Sequence, residues 1–216
     1  MKKISIMQNS KYCTFYIVRH GETEWNVKGL LQGQSDSPLT KKGIRQSNKL
    51  AKILKDIKFD AAFSSDSLRA KKSADIILLE KKITLETTEL LRERSFGKWE
   101  GRGYEVYGNE LRELLSEFEK LSDEMKMKFK FPDIESDEEI LVRFIRILRE
   151  IALGFLGKTV LVVTHGAMMR TLLIHLGFGT YASLPPGAIE NSGFIKLRSD
   201  GVDFFIDETR GVELKA

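Results

Sequence analysis

Phe15-Tyr16-Ile17-Val18-Arg19-His20-Gly21-Glu22-Thr23-Glu24-Trp25-Asn26 is the stretch from which the fold is read. Four apolar residues run straight into Arg-His-Gly. A continuous apolar run halted at a turn residue reads as a buried parallel strand, here about 14–19. Ligands of open α/β sheets collect just beyond the C-terminal ends of such strands. Arg19 brings a planar fork of donors suited to a carboxylate or phosphate. His20 titrates near neutral pH and serves as nucleophile or base. Gly21 allows a tight turn and close approach of backbone to ligand. The tripeptide alone favours a satisfied strand-end histidine, so a functional meaning depends on the rest of the chain.

A second unit repeats the pattern. Thr159-Val160-Leu161-Val162-Val163 is the clearest strand and runs into Thr164-His165-Gly166, after which a helix extends to Leu176 and stops at Gly177. The helix opening at Gly166 is a natural anion site beside His165. Between these units, β and α patterns alternate. A helix capped by Thr40 is expected over 41–55, a strand at Ala61-Ala62-Phe63, a helix over 67–80 capped by Ser65 or Asp66, and a strand at 83–87. Residues 26–38 and 92–103 read as loops. A helix over 104–121 and a lysine- and acid-rich surface loop over 122–135 form a cap insertion of about 102–135. Ser136-Asp137-Glu138-Glu139 fits a capping box that opens a helix to about Leu153. Ile189–Leu197 and Val202–Ile206 flank a hairpin turn at Ser199-Asp200-Gly201. The alternation predicts an α/β fold with a mostly parallel sheet and an antiparallel edge. One domain is expected over 1–216, with 1–13 a short leader.

Composition narrows the function. The chain has 216 residues, 35 basic and 31 acidic, for a net charge of +4, and 42 % are hydrophobic. The mixed sign leaves no nucleic-acid footprint, and a small anionic substrate suits the balance. Cys13 is the single cysteine, so neither an intrachain disulfide nor a cysteine zinc site is available. No run reaches the roughly 18 apolar residues of a membrane span. A cytoplasmic protein without membrane or nucleic-acid partners, monomer or homodimer, is expected. The lysines at 41, 42, 49, 52 and 55 read as a solvated helix face. His175 reads as a packed helix histidine, and Trp25 and Trp99 as packing residues at a loop mouth.

If the two strand-His-Gly units are neighbours, Arg19, Arg69, His20, His165 and a helix N-terminus converge. Such a pocket suits a dianionic phosphoryl group. No carboxylate cluster with ligand spacing calls for a metal.

These residues carry a resemblance. Arg19-His20-Gly21 with Asn26, Gln32-Gly33-Gln34-Ser35-Asp36-Ser37-Pro38-Leu39-Thr40, Ser64-Ser65-Asp66-Ser67-Leu68-Arg69-Ala70, Leu91-Arg92-Glu93-Arg94-Ser95-Phe96-Gly97-Lys98-Trp99-Glu100-Gly101 and Thr164-His165-Gly166-Ala167-Met168-Met169-Arg170 stand in the order of the histidine phosphatase superfamily, the phosphoglycerate-mutase-like group. Together the blocks cover about residues 14–195. The resemblance implies a three-layer α/β/α sandwich. It also implies that His20 becomes phosphorylated, that Arg19, Arg69 and His165 hold the phosphoryl oxygens, and that Glu93 donates a proton to the leaving group. Asn26 and Gly166 would line the phosphate pocket, and Gln32 and Gly33 the substrate mouth. No metal or cofactor is implied. Ala167 departs from the second glycine common in relatives, and Glu135-Ser136 lacks the glycine that often precedes it.

Three activities compete: a phosphomonoesterase of small phosphorylated metabolites, a 2,3-bisphosphoglycerate-dependent phosphoglycerate mutase, and a phosphate-binding module without chemistry. The complete set of reactive groups disfavours the last. The mutases of the resemblance carry a longer insertion where this chain has residues 102–159. The acid loop Phe96-Gly97-Lys98-Trp99-Glu100-Gly101 is similar to the phosphatase branch. The expectation is therefore a metal-independent phosphatase.

Overall fold

The computed structural model describes residues 11–215. The leader expected over 1–13 lies mostly outside them, and the first strand already begins at Cys13. Six strands form one sheet: β1 (Cys13–Arg19), β2 (Ala61–Ser65), β3 (Leu85–Thr88), β4 (Thr159–Thr164), β5 (Ile189–Ser199) and β6 (Phe204–Val212). Their order is β3-β2-β4-β1-β5-β6. The first four are mutually parallel, and β5 runs against both β1 and β6. This is the mostly parallel sheet with an antiparallel edge that the alternation predicts.

Both faces of the sheet are covered, because the central strands are apolar on both sides. Phe15 and Ile17 of β1 and Val160 and Val162 of β4 point to one face. There they pack on α7 (Asp137–Gly154) and α8 (Gly166–His175) through Phe144, Leu148, Met169 and Leu172. Tyr16, Val18, Leu161 and Val163 point to the other, against α2 (Lys41–Ile53) and α3 (Leu68–Leu78) through Leu50, Ala70, Ala74 and Ile77. The result is the three-layer sandwich. The lysines of α2 are exposed, as a solvated face requires.

Local signals set several helix starts. Thr40 Oγ1 accepts the Gly43 amide at 2.9 Å, and Ser136 with Glu139 closes the expected capping box at α7. Three expectations are corrected. Residues within the loop expected over 26–38 contribute to a short helix, α1 (Glu24–Lys28), stabilised by its own capping box between Thr23 and Asn26. The helix expected over 104–121 breaks at Leu111 into α4 (Tyr104–Glu110) and α5 (Arg112–Glu119). The expected surface loop 122–135 contains α6 (Asp123–Lys128) and is packed down: Phe131 and Ile134 are buried with Leu31, Trp99 and Leu111. Aromatic contacts of Phe118, Phe129 and Phe131, with centroids 4.8–5.5 Å apart, hold this cap together.

Candidate active site

The β1–β4 register pairs Arg19 with Thr164, so the residues that follow, His20 and His165, emerge side by side. The His20 amide donates to the Thr164 carbonyl at 3.0 Å, and the two imidazole centroids are 5.2 Å apart. His20 is only 3 % exposed. Its Nδ1 lies 2.7 Å from the Gly21 carbonyl, an acceptor that requires the proton on Nδ1 and leaves the Nε2 lone pair free. Burial first, then the Arg69 and Arg19 guanidiniums, hold the His20 pKa well below the ordinary histidine value. The imidazole is therefore neutral at pH 7, the form that can act as a nucleophile.

The turn after His20 has no room for a side chain. A Cβ on Gly21 would lie 2.5 Å from the Gly43 carbonyl oxygen, and one on Gly43 would lie 2.0 Å from that of Glu22. The paired glycines let α2 start directly against the turn after His20, and the Gly21 amide donates to Ser73 Oγ at 3.0 Å. We expect Gly21→Ala to destabilise the protein by about 1–3 kcal/mol, since the clash is with backbone. A lowered denaturant midpoint at unchanged m-value checks this; an unchanged midpoint contradicts it. On the other side, a β5 irregularity between Ile189 and Phe194 turns Asn191 and Ser192 toward the same strand end. Asn191 Nδ2 and the Ser192 amide both donate to the His20 carbonyl, at 3.2 and 3.3 Å. Ser192 adopts φ 60°, a left-handed conformation rare for a side-chain-bearing residue and often found at functional sites.

The arginines combine structural and cavity-facing roles. Arg69 is 1 % exposed. Its Nη1 donates to the Ser35 carbonyl (2.7 Å) and Asp36 Oδ1 (2.9 Å), and its Nη2 to the Gly33 carbonyl (2.6 Å). Asp36 also accepts the Leu68 amide at 2.6 Å, so α3 is capped from a distant loop and not by Ser65 or Asp66 as expected. Arg19 Nη1 donates to the Ile189 carbonyl. The Nε groups of both arginines, and His165 Nδ1, are buried without a partner in the protein. An unsatisfied buried donor costs about 1–3 kcal/mol, which an oxyanion in the cavity offsets. Gly166 makes room for Arg19: a Cβ there would stand 3.2 Å from Arg19 Nε. His165 Nε2 lies 3.3 Å from Ser67 Oγ. Burial, then Arg69, holds the His165 pKa well below the ordinary value, so the unliganded site contains a neutral His165, not a cation.

Glu93 completes the group. Its Oε1 accepts the Arg94 amide at 2.8 Å and its Oε2 the Ala167 amide at 3.1 Å, which ties the acid loop to the first turn of α8. The flanking arginines pair elsewhere: Arg92 with Asp66 at 2.6 Å and Arg94 with Asp137. A clamp not anticipated from the sequence holds the loop. Arg143 Nη1 donates to the Leu90 and Arg92 carbonyls (3.0 and 2.6 Å) and Nη2 to that of Glu93 (3.1 Å). Glu135 pairs with Arg143 at 2.8 Å and accepts the Ser95 amide at 3.1 Å. The one available signal was the Glu135-Ser136 segment, singled out in the sequence for lacking the glycine that often precedes it.

Arg19, His20, Asn26, Gln32, Gly33, Arg69, Glu93 and Gly166 all line one cavity of about 280 Å³, whereas His165, its ring centroid 5.2 Å from that of His20, is not among the lining residues. Trp99 is buried in the cap and Trp25 half-buried, as expected of packing residues. His175 is corrected: it ends α8 and is exposed. Among the described residues no cluster of three metal-ligating side chains occurs, and no helix is long and apolar enough to cross a membrane.

Known proteins resemble this chain in sequence and in fold. The chain is 30 % identical over 163 residues to the uncharacterized phosphatase PhoE of Bacillus subtilis, covering 76 % of this chain and 77 % of that one. It is 31 % identical over 170 residues to a metal-independent phosphoserine phosphatase of Arabidopsis thaliana, covering 77 % and 70 %. A crystal structure described as a phosphoglycerate mutase from Bacillus anthracis superposes with a TM-score of 0.82 at 30 % identity, covering 95 % of this chain and 96 % of that one. The family model for the histidine phosphatase superfamily (branch 1) matches residues 15–209, a span that includes both strand-end histidines, Arg19, Arg69 and Glu93; the chain belongs to that superfamily.

Proposed function

We propose that this protein is a metal-independent phosphomonoesterase that acts on small phosphorylated metabolites, in the cytoplasm, through a phosphohistidine at His20. The observation that carries the reading is a neutral His20 with Nε2 free, in one cavity with the unpartnered Nε donors of Arg19 and Arg69 and with Glu93. Phosphoryl transfer asks mainly for in-line positioning and charge stabilisation on the three equatorial oxygens. The Nε2 lone pair forms the N–P bond while the ester P–O bond breaks, and the leaving oxygen takes the proton of Glu93. The Glu93 carboxylate then removes a proton from water, whose oxygen attacks phosphorus as the P–N bond breaks. Inorganic phosphate leaves, and His20 and Glu93 return to their starting protonation. The Nδ1–H bond to the Gly21 carbonyl steadies the positive charge that develops on the ring. Asn26, Gln32, Gly33 and Gly166 would line the bound phosphate and its mouth, and His165 would gain a proton as phosphate charge arrives.

The Bacillus anthracis structure supports a second reading, a phosphoglycerate mutase. Product analysis separates the two. With 3-phosphoglycerate in excess EDTA, the phosphatase reading expects stoichiometric inorganic phosphate and little 2-phosphoglycerate. Isomerisation without phosphate release, dependent on 2,3-bisphosphoglycerate, establishes the mutase instead. Activity that EDTA abolishes and a divalent cation restores refutes the metal-independent mechanism.

A further inference from the structure

Two further arginines, Arg94 and Arg170, line the cavity that holds His20, and the chemistry above uses neither. Arg94 follows the acid Glu93 directly. Arg170 stands one helical turn beyond Gly166, about 6 Å along the α8 axis. The first turn of α8 also supplies the Ala167 amide that holds Glu93. Both guanidiniums thus share the cavity with His20 and the acid Glu93.

We propose that Arg94 and Arg170 form a second anion subsite, so that the substrate is a phosphomonoester whose alcohol portion bears a further anionic group, a carboxylate or a second phosphate. This rests on the phosphomonoesterase reading. The two arginines share a single carboxylate: Asp137 pairs with Arg94 and lies 3.7 Å from Arg170 Nη1, and no other carboxylate pairs with either among the described residues. Tyr181 donates its hydroxyl to Asp137 Oδ2 at 2.5 Å, which weakens that carboxylate as a counter-ion. Burial pushes the Tyr181 phenol up to about 12, so it remains a donor at neutral pH. Arg94 Nε is buried without a partner. The geometry is rigid. Arg170 stacks on the Tyr181 ring at 4.8 Å and donates from Nε to the Leu184 carbonyl. Two desolvated guanidiniums against one shared carboxylate leave positive charge facing the cavity, and an anion on the substrate is the group that neutralises it.

Matched substrates test this. The wild-type protein is assayed on 3-phosphoglycerate against glycerol 3-phosphate, which differ by a carboxylate, and on fructose 1,6-bisphosphate against fructose 6-phosphate, which differ by a phosphate. We expect the anionic partner of at least one pair to be preferred in kcat/KM by about tenfold to a hundredfold, the value of one charge-assisted contact. The pair that shows the preference identifies the group. In Arg94→Gln that ratio should fall to near one, and Arg94→Lys should restore part of it. Reading the ratio within each variant cancels any general loss of activity. If Arg94→Gln does not fold, Arg170→Lys is read in the same way. Wild-type ratios near one for both pairs overturn the subsite, as does a preference that survives in Arg94→Gln or, if that variant does not fold, in Arg170→Lys. Hydrolysis of p-nitrophenyl phosphate by the wild type reports separately on the phosphomonoesterase reading. Its presence with ratios near one leaves that reading intact and removes only the second subsite.

Discussion

Replacing His20 with alanine should lower kcat by about ten-thousandfold or more, the scale on which enzymes lose rate when a covalent nucleophile is removed. The loss should fall on chemistry and not on folding. The interactions that hold this strand end use the His20 backbone: its amide bonds Thr164 and its carbonyl accepts from Asn191 and Ser192. A normal denaturation midpoint with absent turnover is the expected pair of results. Wild-type enzyme quenched during turnover should carry phosphate that is labile in acid and stable in base, as an N–P bond is, and peptide mapping should place it on His20. Label on a serine or an aspartate, or His20→Ala activity within tenfold of the wild type, rules out His20 as nucleophile. Arg19 and Arg69 also bear on its pH dependence. Their charges and burial hold His20 neutral, so the free nucleophile should persist below the ordinary histidine range.

Glu93→Gln is the second large effect, and its size should depend on the leaving group. Alkyl phosphates release a poor leaving group that needs a proton, and general acid catalysis is worth about 10²- to 10⁴-fold. p-Nitrophenolate leaves with little protonation, so its loss should be far smaller when P–O cleavage limits the rate. The substitution is nearly isosteric. A glutamine oxygen can still accept the Ala167 or the Arg94 amide, so the link between acid loop and α8 need not fail. Arg143 grips the loop through backbone carbonyls, which the substitution leaves untouched. Equal losses on both substrate classes would mean that Glu93 only holds the loop in place.

Several features of the fold and site were legible in the chain because their causes are local. The apolar runs at 15–18 and 160–163 bury both faces of a strand wherever they sit, and the glycine after each histidine marks a crowded strand end, against the Gly43 backbone at Gly21 and against Arg19 at Gly166. The caps at Thr40 and Ser136 depend on residues three positions apart. Even α1 had its signal, since Thr23 and Asn26 form a capping box, but the glycine-rich segment after it obscured a helix of five residues. The break at Leu111 and the burial of Phe131 were less visible. Both follow from packing of the cap onto Trp99 and Leu31, which no periodicity within 104–135 contains.

By itself, the sequence determined the strands and the longer helices, the mostly parallel sheet and the inventory of reactive groups. The tertiary structure decided their relations. The β1–β4 register set His20 beside His165 across a long sequence separation. Asp36, not an adjacent residue, caps α3 and anchors Arg69. Arg92 and Arg94 pair with Asp66 and Asp137 and leave Glu93 to the α8 amide. His175 points to solvent although its neighbours are apolar. The physical reason is one of range. Helical and strand periods and caps are satisfied within a few residues, whereas a buried charge or orphan donor is satisfied by whichever group the folded backbone brings within hydrogen-bond distance.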